Sequence, residues 1–197
     1  MVFGAMPRAA RVLVALGTVG LGACGSTFPN ISVASPGKIE AAPDAVTVVV
    51  IQPTSRLRAV ELLEGHGQLV GQLDERSHTV LRLHEGPTVL YAVLGPDPST
   101  VDRIEGTLIA GRVYYAIVEA RAGGVALLAL TARSRDWKRK GEYLTSTPRL
   151  QIDPQRLTRA VNELGDTDAI IQAGDARAAK LDAAQVAAHS IQETDGF

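Results

Sequence analysis

The sequence predicts a mainly β protein of the α+β class: an antiparallel β-sandwich of about seven or eight strands, followed by a C-terminal helical segment. Residues 45–131 contain short runs rich in Val, Leu, Ile, Thr and Tyr, separated by turn residues at the spacing typical of β-sandwiches. No alternation of strand and helix patterns interrupts these runs, which argues against a parallel nucleotide-binding sheet. Residues 153–190 change to the apolar period of helices.

Residues 1–23 have the pattern of a signal peptide for secretion. Arg8 and Arg11 form a basic region, and the apolar stretch Val12–Leu21 follows it. A transmembrane helix is the alternative, but the apolar run is shorter than the roughly 17 residues that are needed to cross a hydrocarbon core. Glycines within the run weaken it further as a helix. Met6 is an alternative start and leaves this pattern unchanged.

The segment Leu21-Gly22-Ala23-Cys24 resembles the lipobox of bacterial lipoproteins. The resemblance implies cleavage between Ala23 and Cys24 and attachment of lipid to Cys24, the only cysteine of the sequence. Several acyl chains, at about 0.8 kcal/mol per buried methylene, would anchor the protein to a membrane. An aspartate after the cysteine marks inner-membrane retention in Gram-negative lipoproteins. Gly25 stands there, so the resemblance implies the outer membrane, facing the periplasm. An ordinary secretory signal, with Cys24 as a buried thiol, is the alternative.

Residues 24–44 are predicted to be the lipidated cysteine and a flexible tether, because Pro, Gly, Ser and Asn are frequent there. About twenty such residues reach roughly 25 Å. With no second cysteine, the domain has no internal disulfide, so burial of aliphatic side chains must stabilise it. The aromatic content of 4% argues against stacking platforms for single-stranded nucleic acid or sugars.

Eight strands are predicted within the sandwich domain, residues 45–131. Turns rich in Gly, Pro and acidic residues separate them, as at Gly95-Pro96 and Gly123-Gly124. The predicted strands are Val46–Ile51, Arg58–Leu63, Gln68–Leu73, His78–Leu83, Thr88–Val93, Asp102–Ile109, Val113–Ala120 and Val125–Thr131.

Residues 132–152 are predicted to be a connection with a basic loop. Five basic side chains and one acidic side chain surround the only tryptophan of the chain. Each basic residue near an anionic surface contributes about 1 kcal/mol. The candidate polyanion-binding residues are therefore Arg133, Arg135, Trp137, Lys138, Arg139 and Lys140. The alternative is a solvated loop with Trp137 folded back onto the sandwich. Nucleic acid is not expected as a partner, because the chain has an export signal and a formal net charge of −1.

Residues 153–190 are predicted to be helical, and residues 191–197 to be a tail. Asp153 can cap the first helix, and Gly165 can end it. Pro154 fits its first turn, and its apolar face consists of Leu157, Ala160, Val161 and Leu164. Asp168 or Asp175 can cap a second, alanine-rich helix, with a break at Gly174 as one alternative. We expect the apolar faces to dock on the sandwich or on a partner.

The motifs of common catalytic sites are missing from the sequence. It contains no Gly-x-Ser-x-Gly elbow, no His-Glu-x-x-His pair and no phosphate-binding Gly-x-x-x-x-Gly-Lys motif. Two weaker sets exist: a metal site from histidines 66, 78 and 84 with nearby glutamates 61, 64 and 85, and a carboxylate pair from Asp102, Glu105 and Glu119. Such residues at strand ends are commonly solvated. We predict no catalytic residue, no bound metal and no cofactor.

Two stretches of the strand region resemble domains of the bacterial envelope. Residues 67–73 and 80–89 resemble the hairpin of PEGA-type and carboxypeptidase-regulatory-like domains, and that of an uncharacterised family of bacterial lipoproteins. Gly111-Arg112-Val113-Tyr114-Tyr115 resembles the strand that follows in that lipoprotein family. The resemblance implies a sandwich fold and an envelope location, and it brings no catalytic residues.

We therefore expect a lipid-anchored, non-enzymatic envelope protein. Its leading function is that of an accessory protein that presents the sandwich and helices to a protein partner or an envelope polymer. The alternative is a binding module for an anionic envelope polymer, lipopolysaccharide or peptidoglycan, through the basic loop. A hydrolase is a more distant alternative.

Overall fold

The computed structural model describes residues 31–34 and 37–197. These residues form a mainly β fold with two sheets, one of six strands and one of five, and a few helices. The predicted signal peptide, residues 1–23 with its cleavage site after Ala23, and Cys24 lie outside the described residues. None of the helices within residues 31–34 and 37–197 is long and apolar enough to span a membrane.

In chain order the strands are β1 (Ile31–Val33), β2 (Val46–Gln52), β3 (Val60–Glu64), β4 (Gln68–Leu73), β5 (Ser77–Leu83), β6 (Gly86–Leu94), β7 (Asp102–Leu108), β8 (Val113–Arg121), β9 (Gly124–Ala129), β10 (Arg149–Ile152) and β11 (Ser190–Ile191). The α-helices are α1 (Lys140–Ser146), α2 (Leu157–Leu164), α3 (Thr167–Ala178) and α4 (Ala183–Ala188). The eight strands predicted from the sequence all form, and their ends shift by two residues or fewer.

The sheets are mixed rather than purely antiparallel, which corrects the prediction. The six-stranded sheet has the order β1-β10-β5-β2-β8-β9, and the five-stranded sheet has the order β11-β7-β6-β3-β4. Three pairs are parallel: β2 with β8, β5 with β10, and β7 with β11. Between β2 and β8 the chain passes through the five-stranded sheet. It then returns to the six-stranded sheet as β8, which lies beside β2 and runs parallel to it. Strands β10 and β11 follow all other strands in the sequence. Strand β10 pairs with β1 and β5, and β11 pairs with β7.

Three short strands were not predicted, and each is only two to four residues long. A segment this short shows too little alternation to be recognised, and its pairing depends on an edge that distant residues supply. Strand β1 lies within the predicted tether and pairs with β10, Ile31 opposite Ile152. The flexible-tether prediction for residues 24–44 is therefore wrong for residues 31–33. Residues 24–30 and 35–36 lie outside the described residues.

Apolar side chains form three layers around the two sheets. One cluster lies between the sheets and takes residues from both, among them Val48, Leu62 and Tyr114. A second cluster joins the outer face of the five-stranded sheet to α2 and α3, and it contains Tyr91, Leu164 and Ile170. A third covers the outer face of the six-stranded sheet with residues of the segment after β9. All seven residues of β2 are buried, which explains its nearly unbroken apolar sequence.

Aspartates cap the starts of the C-terminal helices, and a glycine follows the first of them. The Asp153 carboxylate accepts a hydrogen bond from the Gln155 N–H at 2.9 Å and starts a 3₁₀ turn that leads into α2. Gly165 follows α2 with a φ of +72°, which favours glycine. Asp166 caps α3, in place of the predicted Asp168 or Asp175. No break occurs at Gly174, which is buried against the Tyr91 ring.

Candidate functional site

The segment after β9, which contains the predicted basic loop, is folded onto the six-stranded sheet. The Ser134 hydroxyl accepts a hydrogen bond from the Thr131 N–H at 2.9 Å and donates one to the Ala129 carbonyl oxygen at 3.0 Å. A 3₁₀ turn at Trp137–Arg139 then leads directly into α1. Tyr143 of α1 is buried and belongs to the outer apolar cluster of this sheet. The backbone of the basic segment is thus held in one arrangement.

Lys140 and Trp137 contact other residues of the protein. The Trp137 and Phe197 rings stack with centroids 4.9 Å apart, and the Tyr115 ring meets Trp137 edge-on at 5.9 Å. The Lys140 ammonium lies 3.7 Å from the Trp137 ring centroid and 4.2 Å from that of Tyr115, as in a cation–π interaction. Burial lowers the pKa of Lys140. These two of the six predicted residues therefore serve an internal contact.

The other four predicted residues have exposed basic side chains, and they differ in whether they form ion pairs. Arg139 is paired with Glu142 at 3.3 Å, lies 3.8 Å from Asp136, and stacks over Tyr143. Within the described part of the chain, Arg133, Arg135 and Lys138 form no ion pair, so their charges face solvent. Because an unpaired guanidinium keeps its full hydrogen-bonding capacity, Arg133 and Arg135 are free to bind an anion.

A groove of about 500 Å³ brings two of these arginines together with a third that the sequence analysis missed. Its lining includes Arg135 and Arg139 together with Arg56, which comes from the connection between β2 and β3. Thr54 and Tyr143 add hydroxyl groups. We call this the basic groove. Guanidinium groups from separate segments can each offer a fork of donors to one phosphate or carboxylate.

Arg56 could not be assigned to this site from the sequence. It is 79 residues before Arg135 and belongs to a short polar connection that has no motif of its own. The parallel pairing of β2 with β8 places the end of β2 next to the end of β8, and Arg135 and Arg139 line the groove at this place. The signal in the sequence is no more than two arginines, Arg56 and Arg58, between two strands.

Two carboxylates also line the basic groove. The Asp136 carboxylate accepts a hydrogen bond from the Tyr143 hydroxyl at 3.1 Å and lies beside Arg139, so its charge is partly compensated. Glu119, at the end of β8, is half-buried. A bound anion would therefore be repelled from the Glu119 end and favoured near Arg56 and Arg139.

A second groove, of about 460 Å³, adjoins the first and shares Glu119, Arg135 and Asp136 with it. Its apolar lining comes from the outer face of β8 and β9, the end of β9 and the end of α4: Ile117 and Leu128, Ala129 and Leu130, and Ala187 and Ala188. Arg133 and Asp195 also line it. We call this the apolar groove.

A buried charged cluster lies elsewhere, where the C-terminal segment meets the sheets. Asp102 accepts hydrogen bonds at 2.9 Å from Arg121, from the Leu127 N–H and from His189 Nε2. Arg177 lies 3.8 Å from its second oxygen. Burial alone would raise the pKa of Asp102. The hydrogen bonds from His189 and Leu127 and the nearby positive charges outweigh burial and hold that pKa below its usual value.

The Asp102–His189 pair resembles part of a catalytic triad, but its hydrogen bonds indicate a structural role. His189 Nδ1 lies 2.7 Å from the Gln185 carbonyl oxygen, so both ring nitrogens face acceptors. The neighbouring Ser190 hydroxyl donates to the Val186 carbonyl oxygen at 2.8 Å. Neither ring nitrogen is free to accept a proton from a nucleophile, as a general base must.

The two weaker residue sets from the sequence are not brought together. His78 Nδ1 lies 2.8 Å from the Thr147 hydroxyl, and Glu61 is buried beside Gln72 and the Gly95 N–H. Among the described residues, no group of three His, Cys, Asp or Glu side chains is placed to hold a metal ion. Of the three carboxylates considered as a pair, Asp102 belongs to the buried cluster, Glu105 is paired with Arg103, and Glu119 lines the grooves.

Comparisons of the chain with protein-family models, with curated proteins and with solved structures found no match. The resemblance of residues 45–131 to envelope domains therefore stays a prediction from their hairpin motifs.

Proposed function

We propose that this chain is a lipid-anchored, non-enzymatic protein of the bacterial envelope that binds an anionic group of an envelope component through the basic groove. The observation that carries the proposal is the convergence of Arg56, Arg135 and Arg139 on one groove from two separate segments. The lipobox-like sequence that ends at Cys24 supports the anchor and the location.

The chemistry of the groove favours binding over catalysis. Guanidinium groups recognise phosphate and carboxylate groups through paired hydrogen bonds, but they do not act as general bases at neutral pH. Among the described residues, those that line the groove include no histidine and no cysteine. The Asp102–His189 pair does not line it and has both imidazole nitrogens engaged.

The proposal predicts that reversing two charges of the groove weakens anion binding. The double variant Arg56→Glu and Arg135→Glu should raise the Kd for tripolyphosphate more than about tenfold, because each basic residue contributes about 1 kcal/mol. Binding is measured by calorimetry on the full chain carrying Cys24→Ser, at low and at physiological salt. Added salt should weaken the unmodified site as well, since it screens the same attraction.

Lys180→Glu is the matched control. Lys180 is exposed and does not line the groove, so its reversal changes the net charge without changing the site. Equal weakening by Lys180→Glu and by a single Arg56→Glu variant would mean that only net charge matters. That result, or binding that is absent or insensitive to salt, would overturn the proposal.

A further inference from the structure

The apolar groove has the features of a site for a hydrocarbon chain. Leu128, on the outer face of β9, is partly exposed in it, and the nearly buried Ile117 and Leu130, 4% and 2% exposed, also line it. The end of α4 forms a wall with the small side chains of Ala187 and Ala188, which leave the space open. Its volume of about 460 Å³ falls within the range of about 300–1,000 Å³ that is typical of small-molecule sites.

The apolar groove and the basic groove adjoin each other. Both are lined by Arg135, Asp136 and Glu119, on the outer face of the six-stranded sheet. A molecule that fills both grooves would present a charged group to the arginines of the basic groove and an apolar chain to the aliphatic side chains of the apolar groove. The arginines at one end determine the sign of that charge, since they offer hydrogen-bond donors and positive charge.

We propose that the two grooves form one site for a single-chain anionic amphiphile, with its phosphate or carboxylate head in the basic groove and its alkyl chain in the apolar groove. This inference rests on the proposed function of the basic groove and adds the class of ligand. The head lies near Arg56 and Arg139, away from Glu119. The chain lies along Ile117 and Leu128 of β8 and β9, under the end of α4.

The proposal has a quantitative signature in the length of the alkyl chain. Burial of one methylene group contributes about 0.8 kcal/mol, which corresponds to a roughly fourfold change in Kd. A head bound alone in the basic groove would show no such dependence. Chain length therefore separates the contribution of the apolar groove from that of the basic groove.

The test measures the Kd of inorganic phosphate and of ethyl, butyl, hexyl and octyl phosphate, each below its micelle-forming concentration, on the full chain carrying Cys24→Ser. The Kd should fall by roughly fourfold for each added methylene until the groove is full. Ala188→Trp fills the apolar groove and should remove this dependence while inorganic phosphate binds as before. Ala184→Trp, on an exposed position of α4 outside the groove, is the matched control and should change nothing.

The outcomes separate this inference from the function it rests on. Binding that is independent of chain length, or a dependence that survives Ala188→Trp, overturns the amphiphile and leaves the basic groove as an anion site. Alkyl alcohols that bind as tightly as the phosphates of equal length overturn the role of the basic groove. Ala187→Trp replaces Ala188→Trp if the latter lowers the melting temperature, because both alanines are exposed and line the same wall.

Discussion

The hydrogen bonds of His189 favour its protonated form. The Gln185 carbonyl oxygen and the Asp102 carboxylate can only accept, so each ring nitrogen must carry a hydrogen. The hydrogen bond to Asp102 raises the pKa of His189 above its ordinary value of 6.5, against the opposite effect of burial. Arg121 and Arg177, which also interact with the Asp102 carboxylate, repel a positive charge on His189. The charged ring fastens the C-terminal segment to the sheets.

This arrangement predicts that stability decreases in mildly alkaline solution. A group whose folded pKa is raised stabilises the protein fully below its unfolded pKa, and the contribution is lost as the pH rises through the folded pKa. The free energy of unfolding should therefore fall as the pH rises above about 6.5. His189→Gln should be less stable at pH 6 and should lose this part of the pH dependence. Urea denaturation from pH 6 to pH 9 measures both, and an unchanged slope in the variant would contradict the assignment.

Glu61 is a second buried titratable group, with its own pH range. Burial raises its pKa from the ordinary value of 4.5 to about 7, against the hydrogen bonds from the Gly95 N–H and Gln72 that lower it. The folded protein therefore favours the protonated form, and stability falls as the pH rises from about 4.5 to about 7. The side-chain oxygen of Gln72 is buried without a hydrogen-bond partner among the described residues.

Glu61→Gln should therefore stabilise the protein at pH 7. The amide has the same shape and can still accept from the Gly95 N–H. Because the Gln72 amide nitrogen faces Glu61, the Gln72 amide has to rotate by 180° before its oxygen can accept a hydrogen bond from the new amide. The expected gain at pH 7 is on the order of 1–3 kcal/mol, and the slope between pH 4.5 and 7 should decrease. Glu64→Gln, at a less buried position of the same strand, is the control and should change stability little. A loss of stability in Glu61→Gln at pH 7 would show that Glu61 is ionised and needed as such.

Among the elements, α3 shows how packing overrides intrinsic helix propensity. Glycine within a helix costs about 1 kcal/mol relative to alanine. Gly174 is nevertheless in the middle of α3, because the helix lies directly on the Tyr91 ring. A Cβ atom there would be 2.7 Å from Tyr91 Cδ1. The Tyr91 hydroxyl also donates to Asp175 of the same helix at 2.9 Å.

Gly174→Ala should therefore destabilise the protein despite its better helix propensity. Overpacking of a buried contact typically costs 1–3 kcal/mol, so we expect a loss of about that size in the free energy of unfolding. The control is Gly141→Ala in α1, where a Cβ atom would meet nothing within 4 Å and propensity alone should act. If both variants gain stability, α3 does not pack on Tyr91 as closely as described.

The local sequence was sufficient to predict the eight longer strands and the first C-terminal helix. Alternation shows which face of a strand is buried, and Asp153 and Gly165 mark the ends of α2. The local sequence was insufficient wherever the role of a residue depends on a partner that is distant in the chain. Gly174 suggested a break because Tyr91, 83 residues earlier, was not yet known to be its neighbour. Arg56 and β11 were missed for the same reason.

At the scale of the whole molecule, the segments at both ends of the described chain complete the six-stranded sheet. Strand β1 extends it at one edge, and the Phe197 backbone exchanges two hydrogen bonds with Val113 of β8, at 2.9 and 3.2 Å. Ile39 packs against the outer apolar cluster of the same sheet. The Gly111 N–H donates to the Ala42 carbonyl oxygen at 3.0 Å. The folded unit therefore begins before residue 45, the predicted boundary of the sandwich domain.

Deleting residues 31–42 should lower the melting temperature by several degrees. The deletion removes the β1–β10 pairing and the burial of Ile39, and each 1 kcal/mol lost corresponds to about 2–4 °C in a domain of this size. Deleting residues 26–30, which leaves β1 intact, is the control. Thermal unfolding followed by circular dichroism compares the two in the Cys24→Ser chain. Equal melting temperatures would restore the flexible tether up to residue 44.

The position of β1 also limits how far the domain can move from the bilayer. With the proposed lipid on Cys24, Ile31 is seven residues from the anchor, and a fully extended chain of that length spans about 25 Å. A folded unit of this size has a diameter of roughly 40 Å. A chain of that length is shorter than the folded unit, so lipidation at Cys24 would keep the unit beside the membrane surface. Under this proposal, the ligands within its reach are those in the layer next to the lipid headgroups.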